Sequence, residues 1–251
     1  MRIILSPAKT MRREETILPQ TVPVFSEQAQ KLVSTLQSLT PQERKAVWNC
    51  SDRLAAQNEE RLACMNLHGA VSPALYSYSG IAFTHLSPES LTDAEISYLQ
   101  ERLRILSGRY GILRPLDGIV PYRLEMGAKL ETDRGTDLYS FWGSLPAEQL
   151  FSNEDTVINL ASEEYSRLIR PWVKAPRIMI DVIFAEEKNG KLRIVSTAAK
   201  MARGQMTRWL AEEQTDDPRE MRRFDYGYRF AAEQSDETHY YFISTKGKGT
   251  E

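Results

Sequence analysis

Residues 102–123 hold Arg102, Arg104, Arg109, Arg114 and Arg123 against one acid, Asp117, in a chain whose 34 Asp and Glu outnumber its 32 Lys and Arg. A guanidinium forks onto phosphate oxygens two at a time and stacks on bases. Tyr110 and Tyr122 interleave with these arginines, so the residue types suit nucleic-acid binding. Gly108 and Gly111 bracket Arg109 and Tyr110, and two glycines in a tight turn can aim backbone N–H groups at a phosphate without a side chain in the way. A glycine that ends a helix before an ordinary solvated loop accounts for the same residues.

A second stretch, residues 188–209, carries Lys188, Lys191, Arg193, Lys200, Arg203 and Arg208 without any acid. Each phosphate that it contacted would add about one unit of salt dependence to binding. Lys200 and Arg203 fall near an expected helix start, where the helix dipole favours anions. A solvated hairpin and helix face is the plain alternative.

Acid–base chemistry has a weaker basis. Ser6-Pro7-Ala8-Lys9-Thr10 follows an apolar run and resembles a phosphate loop in composition, although it lacks the glycines of one. Asn159, Ser162, Glu163 and Glu164 follow a second apolar run, and a carboxylate brought near Lys9 suits general acid–base work. With Ser107 and Tyr110 these residues form the candidate catalytic set: Lys9, Ser107, Tyr110, Asn159, Glu163 and Glu164. His68, His85 and His239 are far apart and Cys50 and Cys64 form no metal ladder, so no metal site is expected. No Walker, dinucleotide-binding or serine-hydrolase signature occurs, and no cofactor is expected.

The elements that must position these groups follow from periodicity. Arg2–Ser6 and Thr156–Leu160 read as short buried strands. Ser26 opens a helix with Leu32, Val33, Leu36 and Leu39 at helical spacing. Thr40-Pro41 and Ser51-Asp52 are helix starts. Leu91 or Thr92 opens another, and Ile96, Leu99, Leu103 and Leu106 continue at helical spacing up to Gly108, which would place Arg102 and Arg109 on one face if no turn intervened. Asn189-Gly190 between β-rich runs predicts a type I′ hairpin. Ala198–Glu213 reads as a helix with Met201, Met206, Trp209 and Leu210 on its apolar side. Phe224–Ala231 and Thr238–Ser244 read as closing strands, followed by a frayed tail. Helices and strands interleave without a regular βαβ rhythm, so the expected fold is α+β, a mixed sheet with surrounding helices in a single domain, 1–251.

With 41% hydrophobic residues the chain can bury a core, and a net charge of −2 excludes a generally basic nucleic-acid coat protein, so any polyanion site is local. Two cysteines imply reduced thiols. No apolar run is long enough for a membrane span, and the expected location is cytoplasmic.

Several blocks together resemble the YaaA family of peroxide-stress-resistance proteins: Ile4–Thr10, Ser51–Ala55, Leu103–Leu130 (LRILSGRYGILRPLDGIVPYRLEMGAKL), Leu138–Gly143, Val157–Tyr165 and Lys200–Gly204. The resemblance implies hydrogen-peroxide defence, a positively charged cleft, a helix-hairpin-helix-like element over Leu99–Leu116, and affinity for duplex or distorted DNA. The element departs from the usual Gly-hydrophobic-Gly pattern at Gly108-Arg109-Tyr110-Gly111. Charge and resemblance together give an expected DNA surface of Lys9, Arg102, Arg104, Gly108, Arg109, Tyr110, Gly111, Arg114, Arg123, Lys200, Arg203 and Arg208. An enzyme acting on nucleotides or damaged DNA bases in the same cleft is the alternative, and a protein-partner role for Trp142, Trp172, Tyr240 and Phe242 is a third.

Overall fold

The structure is a computed structural model, and it describes residues 1–63 and 71–245. Cys64, His68 and the carboxyl tail expected to fray lie outside the described residues.

Arg2–Leu5 (β1) is buried at Ile3, Ile4 and Leu5 and lies in the middle of a mixed sheet. A short apolar run without alternation fits a strand covered on both faces. Helices Ser26–Ser38 (α1), Pro41–Trp48 (α2) and Asp52–Ala63 (α3) follow. After them come the short strand Ser72–Pro73 (β2) and helices Ala74–Ser77 (α4), Ile81–Leu86 (α5) and Asp93–Arg102 (α6). Thr40 and Thr92 each close a capping box, with Glu43 and Glu95. Thr92→Ala is therefore expected to cost about 1 kcal/mol. In a chain of this size that lowers the melting temperature by roughly 2–4 °C, readable by circular dichroism.

Helix α6 stops at Arg102, and Leu103–Ser107 is a strand, β3, with all five residues buried. It turns back antiparallel into Gly111–Leu113 (β4), with Ile105 opposite Leu113 and Ser107 opposite Gly111. The expected helix through Leu106, and with it the helix-hairpin-helix-like element over Leu99–Leu116, is replaced by a β-hairpin. A parallel partner in β1 wins over helical spacing here: Ile3, Ile4 and Leu5 lie beside Leu103, Arg104 and Ile105. Arg102 and Arg109 consequently share no helical face.

Gly118–Ile119 (β5), Leu138–Trp142 (α7), Leu145–Leu150 (α8), Thr156–Leu160 (β6) and Glu163–Ser166 (α9) come next. Ile178–Lys188 (β7) and Lys191–Arg193 (β8) form the expected hairpin, with Asn189 at φ 53° and Gly190 at φ 71°. Ser196–Glu213 (α10), Tyr228–Phe230 (β9) and His239–Ser244 (β10) complete the order. The sheet runs β4-β3-β1-β6-β7-β10-β9, with β8 on β7. Strands β3, β1, β6, β7 and β10 are parallel, which irregular helix–strand spacing gave no reason to expect. The fold is a single domain, a mixed sheet with surrounding helices over one hydrophobic core.

This order has a consequence for function. The chain leaves β1 for β3 and β4 on one side, then returns to β6, β7 and β10 on the other. Crevices at the carboxyl ends of strands where the order reverses are where open parallel sheets hold ligands.

Candidate functional site

A cavity of about 350 Å³ lies at that reversal, at the carboxyl ends of β1 and β6. Leu5 and Leu160 end the strands beneath it. Ser6 Oγ accepts from the Ser162 N–H at 2.8 Å and donates to Ser162 Oγ at 3.1 Å, tying the two strand ends together. Ile81 and Phe83 of α5, Leu124 and Tyr165 supply apolar and aromatic wall.

Among the described residues, six charged ones line the cavity: Lys9, Arg123, Lys200 and Arg203, with Glu125 and Glu164. Glu125 binds both Lys9 Nζ, at 2.6 Å, and Arg123, at 2.9 Å. Glu164 Oε1 accepts from the Gly127 N–H at 3.0 Å. Lys200 and Arg203 form no ion pair among the described residues. Arg203 Nε is buried without a hydrogen-bond partner among the described residues, and burial lowers the affinity of this guanidinium for its proton. A buried cation without a counter-charge is costly, so an anion placed against it is favoured. Lys200 and Arg203 share a helix face by their spacing of three, but both lie beyond the first turn of α10, so the helix dipole adds little.

One wall of the cavity is braced from behind. Tyr122 OH lies 2.6 Å from Ser107 Oγ and 2.8 Å from Tyr78 OH, and Ser107 Oγ accepts from the Tyr110 N–H at 2.9 Å. Ser107 thus supports a wall residue. Tyr110 is buried, and its hydroxyl accepts weakly from the Val120 N–H. Asn159 is buried within the sheet, donating to Asp181 Oδ1 at 2.7 Å and accepting from the Ala161 N–H at 2.9 Å. Exposed Glu163 pairs with Arg170 at 3.3 Å. Of the candidate catalytic set, Lys9 and Glu164 line the cavity and Ser107, Tyr110, Asn159 and Glu163 do not.

The expected DNA surface divides in two. Lys9, Arg123, Lys200 and Arg203 meet at the carboxyl ends of the strands. Arg102, Arg104 and Arg114 instead ring a depression with Arg2 at the amino ends of β1 and β3. Arg102 is held there by Glu154 at 2.6 Å and Asp216 at 2.8 Å, and Arg114 by Asp117 at 3.2 Å. Arg104 donates to the carbonyls of Leu103 and Gln100. Of the first basic stretch only Arg123 joins Lys200 and Arg203; parallel pairing puts Arg102, Arg104 and Arg114 at the opposite ends of the strands. Arg208 donates to Ser90 Oγ at 2.6 Å and pairs with Glu212 at 2.7 Å, fastening α10 to the segment after α5.

The 108–111 turn is internal. Gly108 and Gly111 are buried. The Gly108 carbonyl accepts from Trp142 Nε1 at 2.9 Å, and a Cβ on Gly111 would lie 2.9 Å from the Trp142 ring. These glycines make room for tryptophan and the Leu124 backbone, which removes backbone capture of phosphate at this turn. Arg109 is buried, at 2% exposure. Trp142, Tyr240 and Phe242 are core residues, leaving only Trp172, 38% exposed, of the four proposed for partner binding.

Gly80, Ile81, Phe83, Leu124 and Glu125 escaped sequence reasoning. Gly80 was the available signal: a Cβ there would meet Ala8 Cβ at 2.7 Å, so this glycine lets the Lys9 loop pack beside the start of α5. Among the described residues, no group of His, Cys, Asp and Glu could hold a metal, and no helix is long and apolar enough to cross a membrane.

A family model described as peroxide stress protein YaaA matches residues 1–234. A UPF0246 protein of Lactiplantibacillus plantarum is 44% identical over 245 residues, covering 97% of this chain and 99% of the relative. UPF0246 proteins of Lactobacillus johnsonii and Lachnoclostridium phytofermentans are each 43% identical; the alignments cover 96% and 97% of this chain and 97% and 96% of the relatives.

Proposed function

This chain belongs to the peroxide stress protein YaaA family, and on that premise we propose that it binds DNA by taking an unpaired or distorted nucleotide into the cavity at the carboxyl ends of β1 and β6. The family name supports a role in peroxide stress. The observation that carries the DNA reading is the meeting of Lys9, Lys200 and Arg203 around one cavity, from segments almost the whole chain apart. Lys9 is 67% exposed and Lys200 is also exposed, whereas the walls at Phe83, Leu124 and Tyr165 are apolar. That arrangement suits phosphate at the mouth and a base stacked within. The cavity is within the range that holds a small ligand. A mismatched, damaged or already unpaired nucleotide costs least to extrude, so distorted DNA is the preferred form.

Anisotropy titrations with bulged and fully paired duplexes over a range of salt test this reading. The double variant Lys200→Ala, Arg203→Ala is expected to bind bulged duplex at least about tenfold more weakly, with a salt slope smaller by roughly one unit per lost phosphate contact. Arg102→Ala with Arg114→Ala, at the other end of the strands, is expected to stay near wild type. A folded Lys200, Arg203 variant with wild-type affinity and slope removes this cavity as the contact.

A second reading, chemistry on a nucleotide or damaged base, is favoured by Glu164, which faces the same cavity as Lys9 with one carboxylate oxygen held by Gly127. In it Glu164 exchanges a proton with substrate and Lys9 stabilises developing negative charge. Incubation with damaged oligonucleotides and nucleotides should release a product that Glu164→Gln abolishes; no turnover in the wild type ends this alternative.

A further inference from the structure

Behind the Tyr122 wall lies a second cavity, of about 20 Å³, between α1, α3 and residues 122–124. Arg109, at 2% exposure, lines it, and none of its three guanidinium nitrogens has a hydrogen-bond partner among the described residues. Its charge faces ring surfaces, 4.7 Å from the Tyr110 centroid and 5.9 Å from that of Tyr122. Ring faces offset only part of what a guanidinium loses when its N–H groups leave water. Asn58, 3% exposed, lines the same space, and its amide nitrogen also has no partner among the described residues. Its amide oxygen is turned to Arg61, which donates to it at 3.4 Å.

The remaining lining makes the chemistry one-sided. Arg61 adds a second cation and Arg123, paired outside the lining with Glu125, a third, while no carboxylate lines the cavity among the described residues. Burial, with the neighbouring charges of Arg13 and Arg123, lowers the proton affinity of Arg61. Arg109 does not relieve this by giving up its proton, because arginine stays protonated in proteins. Each unpartnered polar atom here is a donor. A water would satisfy two of them but would turn its own hydrogens toward other donors, whereas an anion accepts from every direction.

We infer that this cavity is a binding site for a small inorganic monoanion of chloride size, held by Arg109 and Asn58 with Arg61 supplying positive field. Size sets the class. About 10–15 Å³ of this measure holds a single water, so the space takes one atom of that order or slightly larger and excludes phosphate. Tyr122, Arg123 and Leu124 line both cavities, so the anion also fixes the wall of the larger one.

Crystals of the full chain grown in bromide test the assignment, with melting temperature measured in chloride against gluconate at constant ionic strength. An anomalous bromide peak between Arg109 and Asn58 is expected, together with a saturable rise in melting temperature with chloride. Asn58→Leu should raise the half-saturating chloride concentration at least about tenfold. Arg109→Met should abolish the response; if that variant fails to fold, Asn58→Leu and the wild-type crystals decide. Water density without anomalous signal overturns the inference. So does a bromide peak without the stability response, which marks an adventitious ion only.

Discussion

Replacing Gly204 by alanine is expected to lower the melting temperature by roughly 6–12 °C, which corresponds to about 3 kcal/mol in a chain of this length. Gly204 is where α10 crosses α5. A Cβ there would lie 2.0 Å from the Ala82 carbonyl oxygen, 2.8 Å from its carbon and 3.1 Å from its Cα. All three atoms are backbone, so no rotamer change relieves the overlap and one helix must move. Alanine gains about 1 kcal/mol of helix propensity over glycine, and the steric term wins because the closest approach is far inside contact distance. The consequence reaches the large cavity, since α10 carries Lys200 and Arg203 and α5 carries Ile81 and Phe83. The variant should therefore also bind bulged duplex more weakly at a temperature where it remains folded. A calorimetric melting temperature equal to or above wild type means that the two helices do not touch through Gly204.

The same glycine shows what a single sequence conceals. Lys200, Arg203 and Gly204 stood out as a basic patch beside a helix start, yet glycine in the middle of an eighteen-residue helix is explained only by Ala82, more than a hundred residues earlier. Local signals were legible where local forces decide. Capping boxes at Thr40 and Thr92 and the Asn189-Gly190 turn belong to this class, because each is closed by residues within a few positions.

The strand Leu103–Ser107 is hidden in the sequence because Leu99, Leu103 and Leu106 keep helical spacing while Arg104 interrupts the apolar run that marks a buried strand. Arg104 tolerates burial by donating to two backbone carbonyls, an arrangement that spacing cannot reveal. The division of the arginines was hidden for a similar reason. Charge clustering along the chain says nothing of which end of a strand a residue occupies, and parallel pairing of β1 with β3 and β6 decided that Lys9 joins Arg203 and not Arg104. Buried Arg109 resembles a surface cation in sequence because nearby Gly108 and Gly111 read as an open loop and not as clearance for Trp142 and the Leu124 backbone.

Raising the pH through the tyrosine range is expected to dismantle the braced wall of the cavity. Tyr122 is buried against Tyr78 and Ser107, and burial, only partly opposed by the Ser107 and Tyr78 hydrogen bonds, pushes its phenol up to about 12. Tyr78 is shifted in the same direction, also chiefly by burial. The folded state therefore keeps the proton that the unfolded state releases near pH ~10. A raised folded value means that this contribution is fully present below pH ~10 and is lost as the pH climbs through about 12. Two units at about 1.4 kcal/mol each put the loss near 3 kcal/mol from Tyr122 alone. Denaturant unfolding at fixed pH values, with tyrosinate absorbance followed in parallel, should show stability falling across that interval before the buried phenols ionise. Tyr122→Phe is expected to be less stable at pH ~8 by roughly 1–2 kcal/mol, having lost hydrogen bonds to Ser107 and Tyr78, but to fall less steeply in alkali, so that the two profiles converge. Parallel profiles for the two proteins would show that the Tyr122 proton is not held by the fold.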